Sequence, residues 1–346
     1  MNKHRLQAET YKAVRAQFGL TANLTVRACA RVAANRKVGK PVKFFQPTSA
    51  DYDARLFDYR EKEQCVSLST LDARERIPLT LGDYQMSKLQ GKKPTSATLC
   101  RRRDRTFHLH IPVKEEVPDP KPGKDVIGVD LGRRDIAVTS TGESWEGKPL
   151  SQARDKFARV RASLQRKGTK GAKRLLKRLS GREKRYQQWV NHNISKSIIA
   201  QAKATGCSLA VEDLTSIRER TNQKPRSKTE RRRSNSWAAF YQLRQFLAYK
   251  GLRAGVEVIS VSPRYPSQIC AGCLHIGSRN HKHFKCNNPQ CAKYNQLVDT
   301  DLNGAMMIRL VGGADCKPAC DAQLAVLFST RQNNRLGQKP AFLRRR

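Results

Sequence analysis

The first third of the chain shows a helical pattern followed by a strand pattern. Residues 2–37 combine repeated Ala and Arg with scattered apolar positions, which predicts helix. From Val42 to Ile111, short apolar runs separated by polar turns predict strands, namely VKFFQP, ARLFDYR, CVSLST, RIPLTL and TFHLHIPV. The last run follows KPTSATLCRRRDR, so this stretch predicts a hairpin with a basic connection. We expect residues 1–124 to form an α+β region that ends in a proline-rich linker at 117–125.

A second region begins at Asp125, where apolar strands are separated by helical stretches. The sequence VIGVDLG predicts a strand, and DIAVTSTG predicts its hairpin partner. Two further apolar strands are predicted at residues 207–214, CSLAVEDL, and at residues 256–263, VEVISVSP. Strands that alternate with helices in this way indicate an α/β fold.

The helical stretches between these strands are strongly basic. Residues 151–190 contain 14 Lys or Arg against two acids, and Gly168 and Gly171 interrupt the run, so two basic helices are predicted. A separate helix near 193–204 is expected to end at Gly206, and the helix WAAFYQLRQFLAYKG is expected to end at Gly251. The sequence DLNGAMMIRLVGG predicts a short last helix.

Charge and composition indicate the kind of partner. The 346 residues include 68 Lys or Arg and 29 Asp or Glu, a formal net charge of +39. Such an excess is not needed for folding and indicates a polyanion, in the first place nucleic acid. The chain contains no apolar run of about 18 residues, and its N-terminus lacks the apolar segment of a signal peptide. We therefore expect a cytoplasmic, nucleoid-associated protein that has no membrane partner.

Four of the ten cysteines have the spacing of a metal site. Cys270 and Cys273 form one close pair, Cys286 and Cys291 form a second, and 12 residues separate the pairs. Two such pairs joined by a short loop suit tetrahedral zinc, and a closed four-ligand site of this kind is structural. The spacing also favours a reducing compartment over a disulfide framework.

Two alternatives remain open at this site. His275 and His283 lie close enough in the sequence to replace one of the cysteines as a ligand. Cys316 and Cys320 are also close together, but they lack a second pair and are interpreted as ordinary thiols.

Three acids are candidate metal ligands, and the first of them lies where a lone carboxylate is costly without a cation. Asp130 lies in an apolar strand, Glu212 ends a second strand, and Asp301 begins the last helix. This order fits an RNase H-like fold, in which the acids converge on two divalent ions and hydrolyse a phosphodiester. Mg²⁺, a hard cation, is the expected metal. Asp213 and Asp299 lie so close by that either assignment could be displaced by a neighbour.

The residues within the motifs, and the order of the motifs, carry more information than the spacing of the acids. GVDLG, AVEDL, RYPSQICAGC leading into FKC, and DLNGA occur in this order between residues 125 and 312. Together they resemble the RuvC nuclease core of TnpB proteins, which are transposon-encoded, RNA-guided DNA nucleases similar to the compact type V CRISPR effectors. The basic stretch LQRKGTKGAKRLLKRL resembles the TnpB segment between the first two motifs.

The resemblance implies a role for each part of the chain. Asp130, Glu212 and Asp301 correspond to the catalytic acids that bind two Mg²⁺ ions, and the cysteines correspond to an insert with one structural zinc. The implied partners are a guide RNA and a double-stranded DNA target with a displaced strand, next to a short duplex motif. The implied segments are a wedge and recognition region at 1–124, a RuvC-like core with the basic helices at 125–265, the zinc insert at 266–296, the last RuvC-like motif at 297–312, and a basic, flexible tail at 313–346.

The basic residues expected to contact nucleic acid lie in the helical stretch and before the first cysteine. Lys and Arg contact phosphates without choosing bases, as guided recognition requires. The candidates are Arg166, Lys167, Lys170, Arg174, Lys177, Arg178 and Arg264.

The sequence departs from the family pattern in three places. The second cysteine pair, CNNPQC, has four intervening residues where the family usually has two. The last motif is DLNGA where DxNAA is usual, which keeps the acid and Asn303. The wedge is expected to be shortened, since the family usually places a strand and a helix before a segment like NKHRLQAETYKAVRAQF.

Two other functions are compatible with these residues. The first is an RNA-guided DNA-binding regulator of the same descent that does not cut, which the shortened wedge would favour. The second is an RNase H-like transposase or recombinase that acts without RNA. Copurification of one defined RNA in high salt would separate the second function from the guided ones.

Overall fold

The chain forms two units, Met1–Glu116 and Val117–Arg346, each described here by itself. The structure is a computed structural model that describes residues 3–36, 49–102, 104–132, 134–213, 228–261 and 268–316. The predicted strand VKFFQP and the tail beyond residue 316 lie outside these ranges. None of the described helices is long and apolar enough to cross a lipid bilayer.

The first unit combines two helices with two small antiparallel sheets. The helical pattern at residues 2–37 is confirmed as two helices, which Gly19 separates with a positive φ of 61°. The sheets have the orders β1-β5-β6 and β2-β3-β4, and β5 and β6 form the predicted hairpin. The pattern did not predict β1 or α3. The elements are α1 (Lys3–Phe18), α2 (Ala22–Arg36), β1 (Ser49–Asp53), β2 (Phe57–Arg60), β3 (Cys65–Ser69), β4 (Arg74–Pro78), α3 (Asp83–Leu89), β5 (Ser96–Arg101) and β6 (Phe107–His110).

The second unit is built on a five-stranded mixed sheet, which confirms the α/β prediction. Its order is β11-β10-β7-β8-β9, with β7, β10 and β11 parallel and with β8 and β9 antiparallel. The strands are β7 (Val126–Asp130), β8 (Asp135–Thr139), β9 (Ser144–Glu146), β10 (Ser208–Glu212) and β11 (Val258–Val261). The stretch interpreted as a linker contacts this unit, since the Gly123 N–H donates to Ser208 Oγ at 2.7 Å.

Helices cover both faces of the sheet. Three of them pack on one face around Ile198, Leu243 and Leu247, and the last packs on the other face through Ile308 and Val311. The helices are α4 (Lys148–Lys167), α5 (Lys170–Thr205), α6 (Lys228–Ala254) and α7 (Thr300–Cys316). Three short antiparallel strands precede α7, namely β12 (Ser278–Asn280), β13 (His283–Lys285) and β14 (Leu297–Asp299).

Two helix boundaries differ from the prediction. The helix expected at 193–204 is the end of α5, which continues from the second basic helix without a break and stops at the predicted Gly206. Gly251 does not end α6, which continues to Ala254. A Cβ at this position would lie 2.5 Å from Val258 Cγ2. The absence of a side chain at Gly251 lets β11 approach the helix closely, and Gly255, with a φ of 73°, follows the helix end.

Candidate active site and metal centre

The two strand acids project from the same face of the sheet. Side chains alternate along a strand, and Val129 and Val211 pack toward α5 and α6. Asp130 and Glu212, the last residues of parallel neighbours β7 and β10, therefore point to the opposite face, on which α7 lies. This face also carries Asp301, in the first turn of α7.

Helix α7 approaches β7 closely because each of the two elements has a glycine at the contact. A Cβ at Gly128 would lie 2.0 Å from the carbonyl oxygen of Ala305. A Cβ at Gly304 would lie 2.9 Å from Oδ2 of Asp130. The Asp130 carboxylate is thus seated directly against the helix that carries Asp301.

The surroundings of the three acids disfavour their charged forms. Burial, with repulsion from Glu212 and Asp301, raises the pKa of Asp130 to about 8. Burial raises the pKa of Glu212 to about 7. Burial also raises the pKa of Asp301, although Arg134 opposes this rise. A bound cation would relieve both the burial and the repulsion.

The two neighbouring acids, Asp213 and Asp299, each have hydrogen-bond partners of their own. Asp299 caps α7, because its Oδ1 accepts the N–H of Asp301 at 2.8 Å and that of Leu302 at 3.2 Å. Asp213 accepts a charged hydrogen bond from Arg244, a buried arginine that also donates to Ser260.

Two arginines that the sequence did not single out lie at this site. Arg134 donates to Asp301 Oδ2 at 3.2 Å and to Asp299 Oδ2 at 3.3 Å. Arg279, on β12, opposes by its charge the rise in the pKa of Asp130 and Asp301 that burial causes. Neither could be found by spacing, because Arg134 follows a turn and Arg279 belongs to another module.

The four predicted cysteines form a compact cluster. Their Sγ atoms all lie within 4.8 Å of one another, and among the described residues they are the one set of three or more Cys, His, Asp or Glu this close. The three acids are therefore neighbours that do not converge to the same distance. The pairs Cys270–Cys291 and Cys273–Cys286 have Sγ–Sγ distances of 3.9 and 3.5 Å.

This geometry fits zinc. A tetrahedral site with Zn–S distances of about 2.3 Å places its sulfurs about 3.8 Å apart. The N–H groups of Gly272 and Lys293 point to the sulfurs of Cys270 and Cys291, both at 3.4 Å, as suits thiolate ligands. The longer second pair, CNNPQC, is thus accommodated.

The alternative ligands are not part of the cluster. His275 instead pairs its Nδ1 with the carbonyl oxygen of Cys273 at 3.0 Å, and His283 is an exposed residue of β13. Cys320 and the side chain of Cys316 lie outside the described residues.

The cysteine cluster is tied directly to the helix of the last acid. The buried amide of Asn303 donates from Nδ2 to the carbonyl oxygen of Ile269 at 2.8 Å. Its Oδ1 accepts the N–H of Ala271 at 3.1 Å, inside the first cysteine pair. Asn303 thus links the first cysteine pair to the first turn of α7.

The predicted nucleic-acid contacts lie on exposed helix surface where the structure describes them. Arg264 lies outside the described residues. The other six candidates are exposed on α4 and α5, on both sides of the turn at Gly168: Arg166, Lys167, Lys170, Arg174, Lys177 and Arg178.

Two family models match consecutive parts of the sequence. The model described as "Probable transposase", OrfB_IS605, matches residues 110–236. The model described as "Cas12f1-like, TNB domain" matches residues 240–308. The first match includes β7 and β10 with their acids, and the second includes the cysteine cluster and Asp301.

Curated relatives match the same region. The TnpB-like protein MJ0751 of Methanocaldococcus jannaschii is 29% identical over 61% of this chain and 79% of its own length. InsQ of Escherichia coli (strain K12), a proposed RNA-guided DNA endonuclease, is 28% identical over 60% of this chain and 54% of its own. The CRISPR-associated endodeoxyribonuclease Cas12f1 of Syntrophomonas palmitatica is 29% identical over 59% of this chain and 42% of its own. The chain thus spans about half or less of the two relatives that are named as endonucleases.

Proposed function

The resemblance to TnpB proteins that the motifs predict is confirmed, and from this premise we propose that the chain is an RNA-guided DNA endonuclease. Its target is chosen by guide-RNA pairing next to a short duplex motif. Its partners are the guide RNA and a DNA duplex in which one strand is displaced. The cut is a phosphodiester hydrolysis at a RuvC-like site with two metal ions.

One observation carries the proposal. Asp130, Glu212 and Asp301 come from distant parts of the chain and lie as neighbours on one face of the sheet, at the carboxyl end of two parallel strands. The pKa of each is raised by burial. A protein rarely collects dehydrated carboxylates unless a cation joins them, so this arrangement supports a metal site.

The donor set fits Mg²⁺, which prefers carboxylate oxygens and keeps several waters. Asp130, Glu212 and Asp301 would hold two such ions, which when bound supply an activated water and stabilise the leaving oxygen. Arg134 holds Asp301 in position through its ion pair. Arg279 adds positive charge beside Asp130 and Asp301, where a phosphate would enter.

The remaining parts of the second unit support the same function. The strand order, three antiparallel strands followed by two parallel ones, is the order expected of an RNase H-like core. The exposed cations of α4 and α5 supply phosphate contacts that do not depend on sequence. The zinc cluster has a structural role, since four thiolates leave no open position for chemistry.

The test begins with the RNA. The protein is expressed with its native flanking DNA and purified in high salt, and the bound RNA is sequenced. One dominant RNA with a structured part and a variable end is expected. A DNA target complementary to the variable end, flanked by randomised sequence, is then incubated with the complex and Mg²⁺, and the cut products are sequenced.

Asp130→Ala and Asp119→Ala are assayed in parallel as test and control variants. Asp130→Ala is expected to retain the RNA and lose cleavage, whereas Asp119, an exposed acid outside the site, should be dispensable. Cleavage by Asp130→Ala at the wild-type rate would overturn the site. A defined RNA without cleavage by the wild type would assign the binding regulator, and cleavage without any RNA would assign the recombinase.

A further inference from the structure

The outer face of α5 carries a stripe of cations interrupted by one tryptophan. Its members recur three, four or seven positions apart, so they lie in line along the helix. All of them are exposed. We call this set the outer stripe: Arg178, Arg182, Arg185, Trp189, Lys196 and Lys203.

The outer stripe points away from the core. The buried residues of α5 include Ile194, Ile198 and Ala202, which lie on the opposite side of the helix. The single acid of α5, Glu183, pairs with Arg161 of α4 and so faces that helix. From Arg178 to Lys203 the stripe is about 38 Å long.

Trp189 is the unusual member of the stripe. It is 61% exposed, and its ring stacks on Tyr186 with centroids 6.0 Å apart. Cations alone would suit a solvated helix face, but an exposed, stacked indole among arginines is the combination that binds unpaired nucleotides. The cations follow the phosphates, and the aromatic ring accepts any base.

The stripe lies across the sheet from the acids. Val129 and Val211 pack on the α5 side of β7 and β10, whereas Asp130 and Glu212 project to the α7 side. A strand that lies along the outer stripe therefore does not enter the candidate nuclease site. The stripe would thus hold a nucleic acid apart from the candidate nuclease site, and under the proposed function the strand that is held and not cut is the guide.

We propose that the outer stripe of α5 binds an unpaired segment of the guide RNA, with its phosphates along the arginines and lysines and one base stacked on Trp189. The inference rests on the proposed function for the identity of the RNA. The geometry of the stripe itself is independent of cleavage.

The experiment measures RNA binding, so that it does not depend on catalysis. Full-length protein freed of RNA in high salt is titrated with a fluorescein-labelled oligouridine of about 20 nucleotides. This RNA is unstructured and long enough to cover the stripe. The dissociation constant is measured at several salt concentrations. An oligothymidine of the same length and the oligomeric state of each variant are measured in parallel.

The aromatic variants test stacking. Trp189→Ala is expected to weaken oligouridine binding about tenfold without changing the salt slope, since it removes a base stack and no charge. Trp189→Phe should recover most of the affinity. The control is Tyr241→Ala, which removes an exposed aromatic from α6 outside the stripe.

The charge variants test the backbone path. Arg182→Gln with Arg185→Gln should reduce the slope of log affinity against log salt by about 1.4, as expected for two phosphate contacts of a single strand. The matched control is Lys173→Gln with Lys184→Gln, which removes two exposed charges from the other side of α5 and should leave the slope unchanged.

Each outcome separates the inference from the proposed function. No oligouridine binding by the wild type would contradict the guide itself. Wild-type binding with an unchanged Trp189→Ala would overturn only the outer stripe. Loss of oligothymidine binding alone would assign the stripe to DNA, and a change of oligomeric state alone would assign it to a second copy of the chain; either result overturns the proposal.

Discussion

The two candidate metal sites of the second unit are organised in opposite ways. The cysteine cluster comes from a single stretch, residues 270–291, and its sulfurs lie within 4.8 Å of one another. The acid site collects residues from β7, β10 and α7, which are far apart in the chain, and its carboxylates do not converge to that distance. One site is set by local spacing, the other by the topology of the sheet.

The difference shows what holds each site together. The cysteine cluster has few core partners, with Phe284 as the main buried side chain beside it, so the metal is expected to supply its stability. The acid site stands on the main core of the unit, which holds three carboxylates near one another against their repulsion. A metal ion should therefore be needed for the cysteine module to fold. At the acid site it should only relieve the repulsion between the carboxylates.

The sharpest test of the acid site compares two adjacent residues. Glu212→Gln should abolish cleavage of a programmed target and leave thermal stability unchanged or higher, because its buried charge is removed. Asp213→Asn should keep cleavage and lower the free energy of unfolding by about 2 kcal/mol, because Arg244 loses its charged partner. Cleavage gels and thermal unfolding measure both. Equal loss of activity in the two variants would contradict the assignment of Glu212.

The cysteine site is tested by removing one ligand. Cys270→Ser should release zinc and unfold the module around β12 and β13, since binding free energy at such sites is folding free energy. Cys207→Ser, a half-buried thiol outside the cluster, should retain one zinc per chain. Metal analysis and thermal unfolding measure the outcome. Wild-type protein that contains no zinc would refute the site.

The acid site should also make metal-free stability depend on pH. Burial raises the pKa of Asp130 in the folded protein to about 8, above its ordinary value of 3.8, so between these values the folded state binds the extra proton. The free energy of unfolding should therefore fall as pH rises through this window. Asp130→Asn should flatten the fall, and Mg²⁺ should reverse it in the wild type alone. Unfolding in EDTA across this range tests the prediction, which fails if the variant and the wild type have parallel curves.

The smallest effect is expected at Gly304. Gly304→Ala places a Cβ 2.9 Å from the flexible end of Asp130, while a gain in helix propensity of about 1 kcal/mol offsets the contact. Stability should thus change little. Gly128→Ala should lower the free energy of unfolding by about 3 kcal/mol, since its Cβ would meet the α7 backbone at 2.0 Å. Denaturant titration of both variants would reveal any departure from this order.

The sequence predicted best what local spacing determines. The four cysteines, the strand that contains Asp130 and the stop of α5 at Gly206 were all found from neighbours in the chain. The division of residues 151–204 into three helices was wrong, because a change from basic to apolar composition was interpreted as a boundary. The backbone hydrogen bonding of α5 continues through that change.

What the sequence could not predict depends on contacts between distant elements. Arg134 pairs with Asp301, and the charge of Arg279 acts on Asp130, only because α7 and the cysteine module fold back onto β7. Gly251 was interpreted as a helix stop. The structure shows that a glycine here makes room for Val258, a contact that the sequence alone does not reveal. The roles of Asp213 and Asp299 likewise followed from their partners, Arg244 and the first turn of α7.

The length of α5 has a consequence for how the protein responds to ionic strength. Lys170, Arg174, Arg178 and Arg182 follow one another at intervals of four, so each repels the next along the helix. The hairpin of α4 and α5 is therefore a short polyelectrolyte that carries unfavourable self-energy when it is alone. Moderate salt screens this repulsion and should stabilise the hairpin, although it lowers the affinity of the hairpin for phosphates. A bound polyanion also neutralises the repulsion between these cations. Binding of nucleic acid should therefore stabilise the hairpin at the same time.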